Sequence, residues 1–154
     1  MWLLCLPVAL GEPQPCTLLA GKLIKPQGKP LFRFNSSRRH SRTGYLMTHT
    51  QFYLQTSHGQ IYKVIMDNLY YHHLSRAQAD SSRNLGITAQ LAHRYQVGAP
   101  VEACGKLYTG PAGEIGLKFV YFSACAEHPF QGFLRINSED LTGDGGFYCA
   151  NCAC

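Results

Sequence analysis

The sequence predicts a mainly β domain with one short helix, and three observations support this fold class. The chain has 154 residues, a usual length for one domain and enough to bury a hydrophobic core. Hydrophobic residues make up 45% and charged residues 15%, a balance that excludes disorder over most of the chain. Nine tyrosines and eight phenylalanines enrich it in residues that fit pleated, half-buried strands.

The first extended region precedes a polar segment. Residues 17–25 form an apolar run that Gly21 interrupts, and residues 26–30 contain the Pro and Gly of a turn. Extended structure resumes at residues 31–34. Residues 35–43 are polar and rich in Ser and Arg, a composition that predicts an exposed loop.

The next elements are a hairpin and a polar stretch. Residues 51–56 and 60–66 carry β-branched and aromatic side chains, and a Ser-His-Gly segment between them is typical of a hairpin turn. Residues 67–85 are mixed and polar, with no strong signal for either a strand or a long helix.

One segment has the apolar spacing of a helix. Ile87, Leu91 and Tyr95 recur every four residues, which places them on one face of a short helix. Gly98, followed by Pro100, is a typical stop signal.

A second hairpin follows the helix. Residues 101–108 and 115–125 are the strongest pair of strands, joined by a Gly-Pro-Ala-Gly turn. If the turn is centred between residues 111 and 112, Phe119 lies opposite Cys104, unless a bulge shifts the register. Residues 133–136 predict a last short strand.

The order is thus a strand, a hairpin, a short helix and a second hairpin. A five-stranded barrel with a helix between its third and fourth strands has this order, and it is the OB-fold, a partly open Greek-key design. The sequence therefore predicts an OB-fold-like five-stranded barrel. A generic α+β sandwich accommodates the same order and stays open as the alternative.

The N-terminus predicts export and sets the domain boundaries. Residues 1–11 form an apolar run of signal-peptide length, too short for the roughly 20 residues that span a bilayer. The run ends in the small-x-small pattern of a cleavage site, although no basic residue precedes it, and a buried first strand is the alternative. The predicted units are thus a signal peptide at 1–11, the barrel at 12–136 and a Gly-, Asp- and Cys-rich tail at 137–154, in a periplasmic or extracellular protein. No transmembrane segment is predicted.

Cleavage after Gly11 removes one of the seven cysteines and leaves an even number, which in an exported chain predicts disulfides. The spacing selects no pairing. A Cys104–Cys125 bond is open but not favoured by the hairpin register, since Cys16 or the tail can take either partner. The three tail cysteines, Cys149, Cys152 and Cys154, are compatible with structural disulfides, with links between chains, or with a metal or redox role. No Cys or His pair elsewhere in the sequence has the zinc-finger spacing that would complete a metal site. The candidate disulfide cysteines are Cys16, Cys104, Cys125, Cys149, Cys152 and Cys154.

Part of the chain resembles known exported barrels. The stretch 97–108 (VGAPVEACGKLY), followed by 116–122 (GLKFVYF) and 132–135 (GFLR), resembles small envelope proteins of unknown function with bacterial OB-folds. The layout is also similar to the B chains of pentameric toxins, which bind cell-surface glycans. The resemblance covers roughly residues 86–136 and implies the fold.

A basic segment and scattered aromatics predict the ligand-binding residues. The formal net charge is +5, and residues 33–42 hold four arginines, whose guanidinium forks suit phosphate or carboxylate. In an OB-fold the loop between the early strands borders the binding face, although a solvated loop is the alternative. The candidate ligand-binding residues are Arg38, Arg39, Arg42, Tyr53, Tyr62 and Tyr121.

These features predict a non-enzymatic exported binding module for a surface glycan, an envelope component or a protein partner. No catalytic residue, metal or cofactor is predicted, because no titratable pair has the spacing that catalysis needs. The alternatives are a structural or assembly subunit of a secretion system or filament, which can be a homo-oligomer, and a binder of single-stranded nucleic acid. A nuclease on the same barrel is least favoured, because Asp67 and Asp80 are isolated carboxylates.

Overall fold

The computed structural model describes residues 15–39, 46–71, 86–123 and 130–142. Several predictions concern residues outside these ranges and stay predictions. They are the signal peptide at 1–11, the loop at 40–43 with Arg42, the tail at 143–154 and the cysteines Cys125, Cys149, Cys152 and Cys154.

Within the described ranges the chain forms ten strands and one α-helix. The strands are β1 (Thr17–Ile24), β2 (Arg33–Arg39), β3 (Leu46–Gln55), β4 (Ile61–Asp67), β5 (Pro100–Thr109), β6 (Ile115–Lys118), β7 (Phe122–Ser123), β8 (Phe130–Gln131), β9 (Phe133–Ile136) and β10 (Glu139–Asp140). The helix α1 is Ile87–Arg94, and short 3-10 helices span Asn68–Tyr70 and Pro111–Gly113.

Five of these strands close into a barrel. The order is β1-β3-β4-β6-β5, and β1 also pairs with β5, which completes the ring. The β4–β6 pair is parallel and the other barrel pairs are antiparallel. Helix α1 lies in the chain between β4 and β5, the third and fourth barrel strands. The predicted OB-fold-like five-stranded barrel with one short helix is confirmed.

The first and last barrel strands are each continued by a second strand. Strands β1 and β2 follow one another along the same edge of β3. Strands β6 and β9 likewise follow one another along β5. A small sheet of β7 and β8 lies in the chain between β6 and β9.

The predicted loop at residues 35–43 is wrong over its first part, where β2 pairs with β3. The ladder runs from Arg33 opposite Gln51 to Arg39 opposite Leu46, with a bulge between. Among the described strands β2 pairs with β3 alone, and an edge strand of this kind can carry Ser and Arg, so its composition resembles that of a loop.

Gly21 lies where β1 passes from β5 to β3. Lys22, the next residue, pairs with both Pro100 and Gln55. A Cβ atom on Gly21 would stand 2.3 Å from the carbonyl oxygen of Gln55. The absence of a side chain therefore permits the close approach that closes the barrel.

The core lies inside the barrel and under helix α1. The predicted helical stripe is confirmed, because Ile87, Leu91 and Tyr95 are all buried. The largest fully buried side chains are Phe52, Leu23, Leu54, Met66, Ile87, Leu91, Leu117, Leu134, Ile136, Leu141, Val64 and Val101.

A buried polar chain fastens the helix to the barrel. Thr50 Oγ1 donates to Asn68 Oδ1 at 2.7 Å, and Asn68 Nδ2 donates to Thr48 Oγ1 at 2.8 Å. Because Thr50 donates its single hydroxyl proton to Asn68, the Thr88 hydroxyl of α1 must be the donor in the 2.7 Å hydrogen bond between Thr88 and Thr50. These mutual bonds offset the cost of burying polar groups.

The packed unit continues past Ile136, the predicted end of the barrel domain. Leu141 is buried in the core, and its backbone N–H donates to the Leu134 carbonyl at 2.9 Å. Thr142 forms a bridge with Tyr71. Residues up to Thr142 therefore pack against the same core as the barrel strands.

Cys16 and Cys104 form a disulfide with their Cα atoms 5.3 Å apart. Cys104 is therefore not bonded to Cys125. The predicted register of the last hairpin is also one residue off, because Lys106 pairs with Lys118. The reason is the 3-10 helix Pro111–Gly113, which centres the turn on its middle residue.

No helix in the described part of the chain is long and apolar enough to cross a membrane.

Candidate functional site

A row of four residues crosses the outer face of the barrel. Tyr53 on β3 pairs with Lys63 on β4, and Lys63 is next to Gly116 on β6. Gly116 in turn pairs with Tyr108 on β5. Their neighbours along β3 and β4 point into the core, so these positions point outward. We call this set, Tyr53, Lys63, Gly116 and Tyr108, the tyrosine–lysine row.

Gly116 makes room for the Tyr108 ring. A Cβ atom at Gly116 would lie 2.5 Å from Tyr108 Cε1 and 2.6 Å from both Cζ and Oη. The hydroxyl end of the ring therefore occupies the space that a side chain at 116 would fill. Any larger residue at this position must displace the tyrosine.

Glu114 joins the two other side chains of the row. It follows the turn between β5 and β6, and its Oε1 lies 3.1 Å from Lys63 Nζ. The Tyr53 hydroxyl donates to Glu114 Oε2 at 3.3 Å. The side chains of Lys63 and Glu114 are 19% and 33% exposed, so this ion pair is partly screened by water.

The Tyr108 hydroxyl is buried and has no hydrogen-bond partner in the described part of the chain. Burial, followed by the charge of Glu114 and the proximity of Tyr53, raises the pKa of Tyr108 to about 12. The group is therefore a neutral donor at physiological pH. A buried donor without an acceptor costs about 1–3 kcal/mol of stability.

Three further lysines surround the row. Lys118 Nζ lies 5.9 Å from the centre of the Tyr108 ring, and Lys29 Nζ lies 5.8 Å from that of Tyr53. Lys106 stands directly opposite Lys118, and like charges in this arrangement repel. Among the described residues none of these three lysines has an ion-pair partner, so the surface carries excess positive charge.

The predicted aromatic candidates are not brought together. Tyr53 lies in the row. Tyr62 pairs with Leu54, shares its inward face and packs against the core. Tyr121 is only 9% exposed and stacks on Tyr70 with ring centres 3.6 Å apart. The structure therefore places Tyr62 and Tyr121 away from the row.

The predicted arginines occupy a different region from Tyr53. Arg38 and Arg39 lie in β2, opposite Met47 and Leu46 at the start of β3. Tyr53 is near the other end of the same strand. Arg42 lies outside the described residues.

Sequence reasoning did not identify Lys63, Tyr108, Glu114 or Gly116 as site residues. A local signal exists for one pair, since a turn centred on Ala112 places Tyr108 opposite Gly116. The parallel pairing of Lys63 with Gly116 has no local signal, because it joins residues far apart in the sequence.

A second polar cluster lies at the end of helix α1. Arg94 Nη1 donates to the Tyr71 hydroxyl at 3.1 Å, and Arg94 Nη2 forms a salt bridge with Glu139. The Tyr95 hydroxyl donates to the other Glu139 oxygen at 2.9 Å. The hydrogen bond to Glu139 raises the pKa of Arg94, and burial raises that of Tyr95. We call Tyr71, Arg94, Tyr95 and Glu139 the helix-end cluster.

No protein family and no curated protein matches this chain. The class is therefore defined by strand order and pairing, as a closed OB-fold-like barrel with one helix. Within the described ranges no three His, Cys, Asp or Glu side chains are grouped to hold a metal ion.

Proposed function

We propose that this chain is an exported, non-enzymatic binding module that recognises a negatively charged glycan or similar component of a cell surface or envelope. The observation that carries the proposal is the tyrosine–lysine row, with three lysines beside it that have no ion-pair partner among the described residues. Tyrosine rings stack on the flat faces of sugars, and the ammonium groups attract acidic substituents.

The position of the row supports a binding role. In OB-folds the second and third strands, with the loop between the fourth and fifth, hold oligosaccharides or oligonucleotides. Here the second and third barrel strands carry Tyr53 and Lys63, and the turn between the fourth and fifth precedes Glu114. The resemblance to glycan-binding toxin B chains favours a sugar.

Export is supported by two features. The Cys16–Cys104 disulfide suits an oxidising compartment, and the apolar run at residues 1–11 has the length of a signal peptide. The proposed location is the periplasm or the extracellular space.

The chemistry of the site supports binding over catalysis. A general base works best with a pKa near the operating pH, whereas Tyr108 has a pKa of about 12. Asp67, a carboxylate that a nuclease on this barrel would need, accepts the Leu69 backbone N–H at 3.1 Å and caps a 3-10 helix.

Calorimetric titration with an acidic oligosaccharide tests the proposal. Trigalacturonate should bind the wild-type protein, and Lys118→Gln should weaken binding by about two- to fivefold, the worth of one exposed charge pair. Arg135→Gln is the control. Arg135 lies on β9, which runs along a different part of β5 from the row, and its side chain forms salt bridges with Glu102 and Asp140. Raising the salt concentration should weaken binding.

Other outcomes would redirect the proposal. Tighter binding of a single-stranded oligonucleotide than of any acidic glycan would favour the nucleic-acid alternative. Disulfide-linked multimers in the non-reduced protein, with no glycan binding, would favour an assembly subunit.

A further inference from the structure

Two donors from neighbouring strands converge on the Glu114 carboxylate. Lys63 Nζ is 3.1 Å from one oxygen and Tyr53 Oη is 3.3 Å from the other. These are the cation and the hydroxyl at the centre of the proposed binding surface. The Glu114 carboxylate thus occupies the two donors that a carboxylate of the ligand would use.

We propose that Glu114 is an internal placeholder, and that the ligand group bound at this surface is the carboxylate of an acidic sugar, which displaces Glu114 from Lys63 and Tyr53. This inference rests on the proposed function and names the ligand class of the same site.

The donor set suits a carboxylate. The Lys63 ammonium and the Tyr53 hydroxyl can each serve one oxygen of a planar acid, as they now do for Glu114. Phosphate recognition commonly uses arginine forks, and the row contains Lys63 as its cation. The group that already binds there is itself a carboxylate.

The Glu114 side chain can leave without disturbing the fold. Its backbone is held in the turn, because its carbonyl accepts from the Gly110 N–H at 2.6 Å and its own N–H donates to Pro111. The side chain is one-third exposed, and an ion pair this accessible contributes about 1 kcal/mol or less. A ligand carboxylate therefore replaces it at low cost.

A sugar ring accounts for the rest of the surface. Tyr53 and Tyr108 stand on either side of Lys63 and Gly116, and the Tyr108 ring packs over Gly116. A ring that carries a carboxylate can contact a tyrosine while its acid group reaches Lys63.

The Glu114→Gln variant tests the placeholder. It keeps the shape of the side chain and removes the competing charge, so affinity for trigalacturonate should rise about three- to fivefold. Glu102→Gln is the matched control, since it removes the same charge from a carboxylate that faces Arg135, and it should change affinity less than twofold. Lys63→Met should weaken binding about tenfold or more.

The fully methyl-esterified trisaccharide separates the carboxylate from the sugar. We expect its affinity for wild-type protein to fall at least about tenfold. Equal binding of acid and ester, or an affinity of Glu114→Gln equal to that of Glu102→Gln, overturns the placeholder while leaving the binding module intact. Preference for a sulfated trisaccharide also overturns it. Absence of binding to any glycan by wild type and Glu114→Gln alike overturns the proposed function and the placeholder with it.

Discussion

The tyrosine–lysine row and the helix-end cluster use the same kinds of side chain on one barrel, but they leave different numbers of groups unpaired. In the helix-end cluster both oxygens of Glu139 are engaged, one by Arg94 and one by Tyr95. In the row Glu114 engages Lys63 and Tyr53, whereas the Tyr108 hydroxyl has no partner in the described chain.

This difference separates the structural role of the helix-end cluster from the proposed binding role of the row. The helix-end cluster joins α1 to β10 and the end of the barrel, so its bonds contribute to stability. The row joins strands that backbone pairing already holds together. Among the described residues, the Tyr108 hydroxyl has no hydrogen-bond partner and the three lysines beside the row have no ion-pair partner, which agrees with the proposed ligand surface.

The largest expected effect is on the free energy of unfolding, and it comes from the Cys16–Cys104 disulfide, which lies outside both clusters. Replacing Cys16 and Cys104 together by serine should lower the free energy of unfolding by roughly 2–4 kcal/mol, because the bond joins residues 88 apart and restricts the unfolded chain. Urea denaturation of the oxidised wild type and the double variant measures this. Glycan affinity should stay unchanged, and a parallel loss of affinity would show that the row depends on the bond.

A substitution at Gly116 should act mainly on binding. Gly116→Val must move the Tyr108 ring, which lies 2.5 Å from the position of the new Cβ. We expect trigalacturonate affinity to fall about tenfold, or about 1.4 kcal/mol, with a smaller loss of stability. Gly28→Val is the control for a glycine whose Cβ meets nothing within 4 Å, although its positive φ adds a local cost. Unchanged affinity in Gly116→Val would exclude Tyr108 from the ligand surface.

The fold was predictable where the signals are local. The spacing of Ile87, Leu91 and Tyr95 defines the helix, and the short turn after Gln55 defines the first hairpin. That turn also places Tyr62 opposite Leu54, so the inward position of Tyr62 could be derived from the hairpin register.

The site was less predictable, because it depends on pairs between distant segments. Tyr53 could be found as an exposed strand tyrosine, but its row is completed by the parallel contact of Lys63 with Gly116. A one-residue change of register in the last hairpin moves every side chain to the other face, and the 3-10 turn causes such a change. Residues 35–39 were predicted as loop because they are rich in Ser and Arg, and their pairing with β3 has no signal in that composition.

The most direct test of the central claim compares Tyr108→Phe with Tyr95→Phe by urea denaturation. Both variants remove one hydroxyl from a tyrosine that burial keeps protonated. Tyr95→Phe deletes the bond to Glu139 and should cost about 1 kcal/mol of stability, whereas Tyr108→Phe deletes a hydroxyl without a partner and should cost nothing or stabilise by up to about 1 kcal/mol. Destabilisation by Tyr108→Phe as large as that by Tyr95→Phe would contradict the account, because the Tyr108 hydroxyl would then serve the fold.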